Sequence, residues 1–299
     1  MAYLVAAFYK FVVLDDAPRL QVLLRGRAAA AGIRGTVLLA TEGINGTVCG
    51  TEAAIRKFFE QLRRDDRFAD LEAKESWSER MSFAKLKVKV KREIVTFGQP
   101  QANPGKQVGT YVQPEDWNAL IRDPEVLVID TRNDFEVQVG SFQRSVNPQT
   151  DSFREFPDYV AQLDPQQHKK VAMFCTGGIR CEKASSYMLN QGFEQVYHLD
   201  GGILKYLETV PAAESLWEGE CYVFDQRVSV THGVEPGTYA NCAGCGYPVS
   251  PAAQQSPQYE PGISCPHCYE QLTPDQLSRF RERKKQLELK RHRSGQQSS

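Results

Sequence analysis

The stretch Val171-Ala-Met-Phe-Cys-Thr-Gly-Gly-Ile-Arg-Cys-Glu-Lys-Ala-Ser185 joins a short apolar run to a segment whose apolar residues have helical spacing. The run at 171–174 predicts a buried strand, and the spacing after the two glycines predicts a helix. Cys175 therefore lies where backbone N–H groups converge and where a helix N-terminus adds positive potential. Both effects favour the thiolate, so the stretch predicts a reactive cysteine.

The residues between Cys175 and Arg180 indicate what this cysteine could carry. The active-site loop consists of Thr176, Gly177, Gly178 and Ile179. The glycines let the backbone curl around the sulfur, and the Arg180 guanidinium offers a fixed fork of donors to an anionic group on it. With four intervening residues, the loop is one residue shorter than in cysteine phosphatases, which favours a smaller cargo such as a persulfide sulfur. The alternative is an ordinary buried cysteine at a strand end.

Three stretches occur in the order found in rhodanese domains, and residues 126–207 resemble that family. The first is Val126-Leu-Val-Ile-Asp-Thr-Arg132, followed by Glu136 and Gly140. The second is the Cys175-x-x-Gly178-x-Arg180 loop, and the third is His198-Leu-Asp-Gly-Gly-Ile203. The third stretch resembles the strand and turn that support the loop in this family.

Composition bounds the class of protein. The chain has 299 residues, of which 41% are hydrophobic and 24% charged, as in a globular protein of two or three domains. No apolar stretch approaches the roughly 18 residues of a membrane span. The apolar N-terminus lacks a preceding basic region, which favours a first strand over a signal peptide. A cytoplasmic location is therefore expected, where the eight cysteines favour metal binding and catalysis over disulfides.

Residues 1–98 show strand and helix patterns in the order β-α-β-β-α-β, which predicts a ferredoxin-like α+β sandwich. The predicted strands are 3–13, 35–40, 46–50, 83–90 and 93–97, and the predicted helices are 17–31 and 51–64. Thr51 is the expected N-cap of the second helix. A tight connection, Thr41-Glu-Gly-Ile-Asn45, joins two of the strands.

Lys85, Lys87 and Lys89 alternate with apolar residues and therefore share one face of the predicted strand 83–90. With a net charge of −1 and a pI of about 6.5, the whole chain lacks the composition of a dedicated nucleic-acid binder. The three lysines are interpreted either as a solvated sheet face or as a stripe that contacts phosphates.

A Pro/Gly/Asn-rich linker is predicted at 99–110, and a rhodanese-like domain at 111–212. Strands alternate with helices in the second segment, which predicts a parallel sheet with helices on both faces. Ligands bind beyond the carboxyl ends of the strands in such sheets. Asp130, Cys175 and Asp200 lie at predicted ends of this kind.

Residues 213–271 contain Cys242-Ala-Gly-Cys245 and Cys265-Pro-His-Cys268, with 19 residues between the two pairs. Each pair can turn two thiolates toward one tetrahedral metal, so Cys242, Cys245, Cys265 and Cys268 predict a structural zinc site. Zinc is favoured over an iron–sulfur centre. His267 is interpreted as a bystander because four cysteines already complete a closed site.

A basic helical tail is predicted at 272–299, with Thr273 as N-cap and Pro274 at the first helical position. Basic residues outnumber acidic ones in it; they are Arg279, Arg281, Arg283, Lys284, Lys285, Lys290, Arg291 and Arg293. The tail is interpreted either as a solvated helix or as an element that faces RNA. The chain is thus predicted to be an α/β protein with a ferredoxin-like sandwich, a central rhodanese-like domain and a zinc-binding module with a basic helix.

The arrangement as a whole resembles the rhodanese-type tRNA uridine hydroxylases over nearly the full length. Glu42-Gly-Ile-Asn45, the run from Cys175 to Ser185 and the cysteine-rich tail carry this resemblance. It implies tRNA as partner, molecular oxygen as co-substrate and formation of 5-hydroxyuridine at the wobble position. It also implies that Cys175 is the essential nucleophile.

Other residues receive roles from the same resemblance. Arg180 and the loop amides would stabilise anionic character on Cys175. Cys181 could resolve an oxidised Cys175 as a disulfide, or simply face inward from the helix. Lys183 is expected to face the nucleic acid, and Cys49 and Cys221 are expected to be structural.

Two alternative functions are open. The loop equally suits a sulfurtransferase that passes a persulfide sulfur from thiosulfate or another donor to a thiol or tRNA. A non-catalytic RNA or partner adaptor is the third interpretation, which the intact cysteine and arginine disfavour. The zinc module and the basic helix favour base modification over transfer to a small thiol. The sequence shows no 2-His-1-carboxylate set and no dinucleotide fingerprint, so hydroxylation is expected to proceed through an unrecognised cofactor or direct attack of Cys175 on C6 of uracil.

Overall fold

The computed structural model describes residues 2–296. Its N-terminal domain is a sandwich of one five-stranded sheet and two helices. The elements are β1 (Tyr3–Phe11), α1 (Ala17–Ala30), β2 (Arg34–Ala40), β3 (Gly43–Gly50), α2 (Glu52–Arg63), β4 (Lys74–Ser78) and β5 (Leu86–Val90). The strand order is β4-β1-β3-β2-β5, antiparallel except that β5 runs parallel to β2. In chain order, the first six of these elements, β1 to β4 with α1 and α2, form the predicted β-α-β-β-α-β sandwich.

Both helices cover the same face of the sheet. Leu4 and Phe8 of β1 point into this layer, and the Phe8 ring meets the edge of Phe59 from α2 at a centroid distance of 5.1 Å. Thr51 caps α2 as expected, since its hydroxyl accepts a hydrogen bond of 3.3 Å from the Ala54 N–H. The opposite face of the sheet carries no helix from this domain and is free to meet the rest of the chain.

The prediction for the end of this domain was wrong in one respect. The fourth strand of the sandwich is β4, a polar segment at the sheet edge whose sequence lacks an apolar alternation. Residues 93–97 are not a strand. Their backbone groups bond to side chains instead: the Glu93 carboxylate accepts from Phe97 and Gly98, and Glu42 accepts from the Ile94 N–H. Hydrogen bonds of this kind compete with a strand ladder.

The central domain has a four-stranded parallel sheet of order β6-β10-β9-β7. Its elements are β6 (Thr110–Val112), α3 (Pro114–Arg122), β7 (Val126–Asp130), α4 (Asp134–Val137), β8 (Gly140–Phe142), α5 (Phe156–Val160), β9 (Lys170–Phe174), α6 (Ile179–Asn190), β10 (Gln195–Leu199) and α7 (Gly202–Thr209). Helices α3 and α7 pack on one face, and α5 and α6 on the other. The predicted parallel sheet with helices on both faces is confirmed.

The segment between the two domains packs closely against the central domain. Phe97 is buried and stacks on Phe153 at a centroid distance of 4.5 Å, and Ala102 is buried in the same cluster. The predicted linker therefore adds side chains to the core of the rhodanese-like domain, and its last residue, Thr110, already begins β6.

Much of the segment after residue 212 also belongs to this core. Strand β11 (Trp217–Gly219) pairs with β8, and β12 (Cys221–Tyr222) forms a hairpin with β13 (Ser229–Val230). Trp217, Cys221 and Val230 are buried against the central sheet. The cysteine-rich module is the smaller unit that follows, with β14 (Ala240–Asn241), β15 (Pro248–Val249) and then helix α8 (Pro274–Gln296).

Helix α8 begins at Pro274, as predicted, and folds back on the cysteine-rich module. The Arg283 guanidinium donates a hydrogen bond of 2.7 Å to the Ala243 carbonyl. The end of the predicted tail at 297–299, and the side chains of Lys290, Arg291 and Arg293, lie outside the described residues. In the part of the chain that is described, no helix combines the length and apolar character that crossing a membrane requires.

Candidate active site

The Cys175 loop connects β9 to α6 and is supported from below by α7. The Gly178 N–H points at Cys175 Sγ from 3.1 Å, and the Ile203 N–H donates 3.0 Å to the Cys175 carbonyl. Gly178 has φ +97° and Gly202 has φ +67°, and a Cβ on Gly202 would lie 2.5 Å from the Cys175 carbonyl oxygen. These contacts explain why the Gly-Gly turn of the third rhodanese-like stretch is needed.

The surroundings of Cys175 favour its thiolate. Burial by itself raises the pKa of Cys175, but a hydrogen bond from the Cys181 thiol, the charge of Arg180 and nearby backbone N–H groups lower it to about 6. Burial and the neighbouring Cys175 raise the pKa of Cys181 well above its usual value, so Cys181 keeps the proton that it donates. Cys181 also lies 3.6 Å from the Thr131 hydroxyl. Cys175 is thus a thiolate at neutral pH.

Glu136 holds Arg180 in place beside the thiolate. The Glu136 carboxylate is fully buried and accepts a hydrogen bond of 2.8 Å from Arg180 Nη1. Its own position is set at the start of α4, where it also accepts a hydrogen bond of 3.2 Å from the Asn133 N–H. An arginine that is paired in this way cannot swing into solvent, so its charge remains next to Cys175.

The other carboxylates of the rhodanese-like stretches form ion pairs within the domain. Arg132 is fully buried and binds Asp130 through two hydrogen bonds of 2.9 and 2.6 Å. It also donates 2.6 Å to the Gly140 carbonyl, which ties the end of β7 to β8. Asp200 pairs with Lys205 at 2.6 Å. Of the three predicted strand ends, only the one at Cys175 carries a reactive group.

The Cys175 loop opens into a cavity of about 210 Å³ between the two domains. The N-terminal domain contributes Ala7, Tyr9, Asn45, Thr47 and Lys74 to its walls, and the β12–β13 hairpin contributes Val223, Phe224 and Arg227. Sequence reasoning did not find these residues, with the partial exception of Asn45 in the Glu-Gly-Ile-Asn loop. No local pattern marks them, because only the packing of the domains brings them to the cysteine.

A buried carboxylate fixes Tyr9 against the loop. Glu182, on α6, accepts hydrogen bonds of 2.9 Å from the Tyr9 hydroxyl and 2.8 Å from the Tyr111 hydroxyl. Burial raises the pKa of Glu182, and burial together with Glu182 raises the pKa of Tyr9 well above its usual value. Tyr9 therefore remains a neutral phenol in the cavity wall.

Lys74 places an amine in the same wall. Its ammonium lies 5.1 Å from the centroid of the Tyr9 ring, and burial lowers its pKa. Among the described residues, no carboxylate lies within 4.0 Å of this ammonium. No carboxylate of the described residues therefore competes with a ligand for this side chain.

The predicted exposure of Lys183 to nucleic acid was wrong. Its side chain is buried at the domain interface, where the ammonium binds Glu42 at 2.8 Å and Glu93 at 2.7 Å. It also donates 3.1 Å to the Val95 carbonyl. Its position on the buried face of α6, which the helical spacing of its neighbours could have indicated, turns it toward carboxylates of the N-terminal domain.

The three lysines of the predicted stripe are exposed. Lys87 and Lys89 lie on β5, and the register connects them to the cavity across the sheet. Lys87 pairs with Thr36, which pairs with Thr47 in the cavity wall; Lys89 is connected through Leu38 to Asn45 in the same way. Paired residues project from the same face of a sheet. The lysine row and the cavity therefore share one face, two strand spacings (about 10 Å) apart.

The four cysteines of the two knuckles lie together, as predicted. Their sulfur atoms are all within 4.8 Å of one another, with separations that include 3.8 Å for Cys242–Cys268 and for Cys245–Cys265. A tetrahedral zinc with bonds of about 2.3 Å places its sulfur ligands about 3.8 Å apart, so this geometry fits the metal. His267 stacks on Tyr247 at a centroid distance of 4.0 Å.

The remaining cysteines have structural surroundings. Cys49 is buried in the N-terminal domain, where its sulfur accepts from the Ser82 N–H at 3.4 Å. Burial raises the pKa of Cys221 to about 12. Neither thiol is prepared for reaction at neutral pH.

The lowered pKa of Cys175 can be tested by alkylation. Because only the thiolate reacts, modification of wild-type Cys175 by iodoacetamide should have a midpoint near pH 6, its pKa being about 6, rather than the roughly 8.5 of a free thiol. Cys181→Ala should move the midpoint upward by removing a hydrogen bond to the thiolate, whereas Cys49→Ala should leave it unchanged. Mass spectrometry of the Cys175 peptide measures the rate, and a wild-type midpoint above about pH 8 would contradict the assignment.

Both domains match known protein families. Residues 3–94 match the family described as UPF0176 acylphosphatase like domain, and residues 113–209 match the Rhodanese-like domain family. A rhodanese-related protein of solved structure, from Thermoplasma volcanium, is 25% identical with a TM-score of 0.28, and the match covers 34% of this chain and 93% of that chain.

Two relatives match nearly the full length. The chain is 57% identical over 288 residues to the tRNA uridine(34) hydroxylase of Teredinibacter turnerae, with 96% of this chain and 90% of that protein covered. It is 56% identical over 279 residues to the tRNA uridine(34) hydroxylase of a Picosynechococcus species, with 93% and 94% covered. The chain therefore belongs to the tRNA uridine(34) hydroxylase family.

Proposed function

We propose that this protein hydroxylates C5 of the wobble uridine of tRNA, forming 5-hydroxyuridine with molecular oxygen as co-substrate. The observation that carries the proposal is the Cys175 thiolate at the end of a cavity of about 210 Å³ that both domains line. Pockets for drug-sized ligands measure roughly 300–1,000 Å³, so this cavity suits a single base. Since tRNA is the substrate, the enzyme is expected to work in the cytoplasm.

Cys175 acts as the nucleophile. Its sulfur adds to C6 of uracil, and the electron pair of the C5=C6 bond moves to C5 and the O4 carbonyl. The negative charge that develops needs a fixed cation nearby. Arg180, held by Glu136, lines the cavity and is in position to provide it. The addition makes C5 electron-rich enough to react with oxygen.

Cys181 supplies the second thiol that the oxidation requires. Insertion of one oxygen atom at C5 leaves the other atom to be reduced to water, which takes two electrons and two protons. Conversion of the Cys175 and Cys181 thiols to one disulfide releases both, so uridine, oxygen and two thiols give 5-hydroxyuridine, water and a disulfide. Both cysteines are buried in the same cluster beside the loop, and each affects the pKa of the other, which supports this pairing. An external thiol then reduces the disulfide.

The tRNA approaches along the sheet face that carries Lys85, Lys87 and Lys89. These exposed lysines are point charges for phosphates. Because the face continues to the cavity through Thr47 and Asn45, phosphates held there leave the neighbouring base close to Cys175. The basic helix α8 is a second surface for the RNA.

A structural zinc ion held by Cys242, Cys245, Cys265 and Cys268 completes the fold. It would supply bonds that link both ends of the small module, whose own apolar core consists of few side chains. The module contacts the rhodanese-like domain, since the Tyr247 hydroxyl bonds to Gln138 near α4. The metal supports the structure and takes no part in the oxidation.

The reaction itself can be tested with purified protein, tRNA, a thiol reductant and labelled oxygen gas. Wild type should form 5-hydroxyuridine carrying one labelled oxygen atom, detected by mass spectrometry of the nucleosides. Cys175→Ser should reduce product formation on the order of 100-fold or more, because a serine hydroxyl is a much weaker nucleophile at neutral pH. Cys49→Ala, which changes a buried thiol outside the cavity, should retain activity.

Other products would separate the alternatives. Thiolated uridine in place of 5-hydroxyuridine would contradict the proposal and support sulfur transfer, and binding of tRNA without any product would support an adaptor. Without added thiol, one equivalent of product should accompany the loss of two free thiols. Full product from Cys181→Ala under that condition would exclude Cys181 as an electron source.

The tRNA path can be tested by removing positive charges from either face of the N-terminal sandwich in turn. Replacing Lys85, Lys87 and Lys89 by Gln should weaken tRNA binding and reduce the slope of log affinity against log salt by about 2–3, since each lost phosphate contact removes about one unit or less. The matched control removes three exposed arginines from the helical face, Arg19, Arg25 and Arg27. Equal weakening by both triple variants would contradict a path along the lysine face.

The metal can be identified by elemental analysis. The purified protein should contain one zinc per chain, and Cys265→Ser should lose it because a hydroxyl is a poor ligand for zinc. His267→Ala should keep the full zinc content, since His267 stacks on Tyr247 and four thiolates already complete the site. Iron in the purified protein, or loss of zinc from His267→Ala, would contradict this assignment.

A further inference from the structure

The β12–β13 hairpin presents an aromatic side chain at the mouth of the cavity. Phe224 is 60% exposed, and it lines the cavity together with Cys175 and Arg180. Ligand pockets are lined largely by hydrophobic and aromatic side chains, so an exposed ring in a cavity wall is available to a ligand. None of the catalytic roles described above uses Phe224.

The ring is held rigidly from behind. Tyr222 meets the Phe224 ring edge-on, with centroids 5.1 Å apart and an interplanar angle of 88°. Tyr222 is itself packed edge-on against Phe135 of α4 at 5.1 Å. Val223, which lies between Tyr222 and Phe224 in the sequence, is buried in the central core. Phe224 is therefore a fixed surface with one exposed side.

The tip of the hairpin is strained and anchored to both domains. Val228 has φ +67°, a conformation that costs free energy for a β-branched residue and that only surrounding contacts maintain. Arg227 pairs with Asp225 at 2.6 Å and donates 2.7 Å to Ser76 Oγ of β4. A costly turn that is held in this way indicates that the position of the tip matters.

The neighbours of the ring suit an uncharged planar ligand with polar edges. Arg180 lies over the Phe224 ring, with its guanidinium carbon 5.9 Å from the centroid, so the ring and the Cys175 loop face one space. Apolar Ala7, Val95 and Leu204 line the same cavity. Proteins hold extruded bases by stacking them on aromatic side chains while polar groups bind the base edges.

We propose that Phe224 is the stacking platform that holds the flipped base of the wobble uridine over Cys175. This inference rests on the proposed function, because it assumes that a uracil base enters the cavity. The ring contacts one face of the base, which leaves C6 directed toward the sulfur and the carbonyl edges directed toward Arg180 and Lys74. Phe224 thus determines how long the base stays out of the anticodon stack.

The test uses the full-length protein and an anticodon stem-loop RNA with uridine at position 34 and 2-aminopurine at position 35. Extrusion of base 34 removes a stacking neighbour of the 2-aminopurine, so its fluorescence rises. Phe224→Leu should reduce this rise and kcat/KM for hydroxylation roughly tenfold or more, while Phe224→Tyr should retain both. Trp77→Leu removes an aromatic ring that is 49% exposed outside the cavity and should behave as wild type.

The outcomes separate stacking from a structural role and from the proposed function. A wild-type fluorescence rise in Phe224→Leu, or an equal loss in Phe224→Tyr, would overturn the inference. So would a shifted pH profile of Cys175 alkylation in Phe224→Leu, because the ring would then act by supporting the loop. Wild type could also give a fluorescence rise that Phe224→Leu loses, yet form no 5-hydroxyuridine. That result would uphold the stacking role of Phe224 and refute the proposed hydroxylation.

Discussion

The buried ion pair between Glu136 and Arg180 is the interaction on which the rest of the site depends. A thiolate as deeply buried as Cys175 is costly, since burial favours the neutral thiol. Arg180 offsets this cost only while its guanidinium stays beside Cys175, and the Glu136 carboxylate keeps it there. Glu136 is in turn neutralised by Arg180, so neither charge is buried alone. This contact therefore acts with the Cys181 thiol and the loop N–H groups to lower the pKa of Cys175.

The N-terminal domain completes this site, and contacts on both sides of α6 hold it in place. Lys183 binds Glu42 and Glu93 on one side of α6, and Arg227 donates to Ser76 beyond the cavity on the other. Without that domain, the Cys175 loop would face open solvent, which would weaken its electrostatic interactions. A rhodanese domain alone suits the transfer of a small sulfur group, whereas the enclosed cavity suits a base. The chemistry is thus set by the interface as much as by the loop.

Features formed by residues close together in sequence were predictable, whereas features formed by distant residues were not. The Cys175 loop and the two cysteine knuckles were predictable because residues a few positions apart form them. Strand β4 was not, because a polar edge strand lacks the apolar alternation on which such predictions depend. Lys183 was misplaced because its partners are about 90 and 140 residues away in sequence. Tyr9 and Lys74 reach the cavity through domain packing, which leaves no local sign in the sequence.

The two faces of the N-terminal sheet differ in charge and covering, and this difference explains how a nearly neutral protein can attract RNA. One face of the sheet is covered by α1 and α2, and the other is shared between the cavity and the lysine row of β5. Overall charge averages these surfaces together with many acidic groups elsewhere, so a pI of about 6.5 does not describe the field that an approaching anticodon meets. At a Debye length of about 8 Å, local charge decides such an encounter. Since only β2 lies between β5 and β3, the backbone of one sheet fixes the spacing between the position of Lys87 and the cavity wall at Thr47.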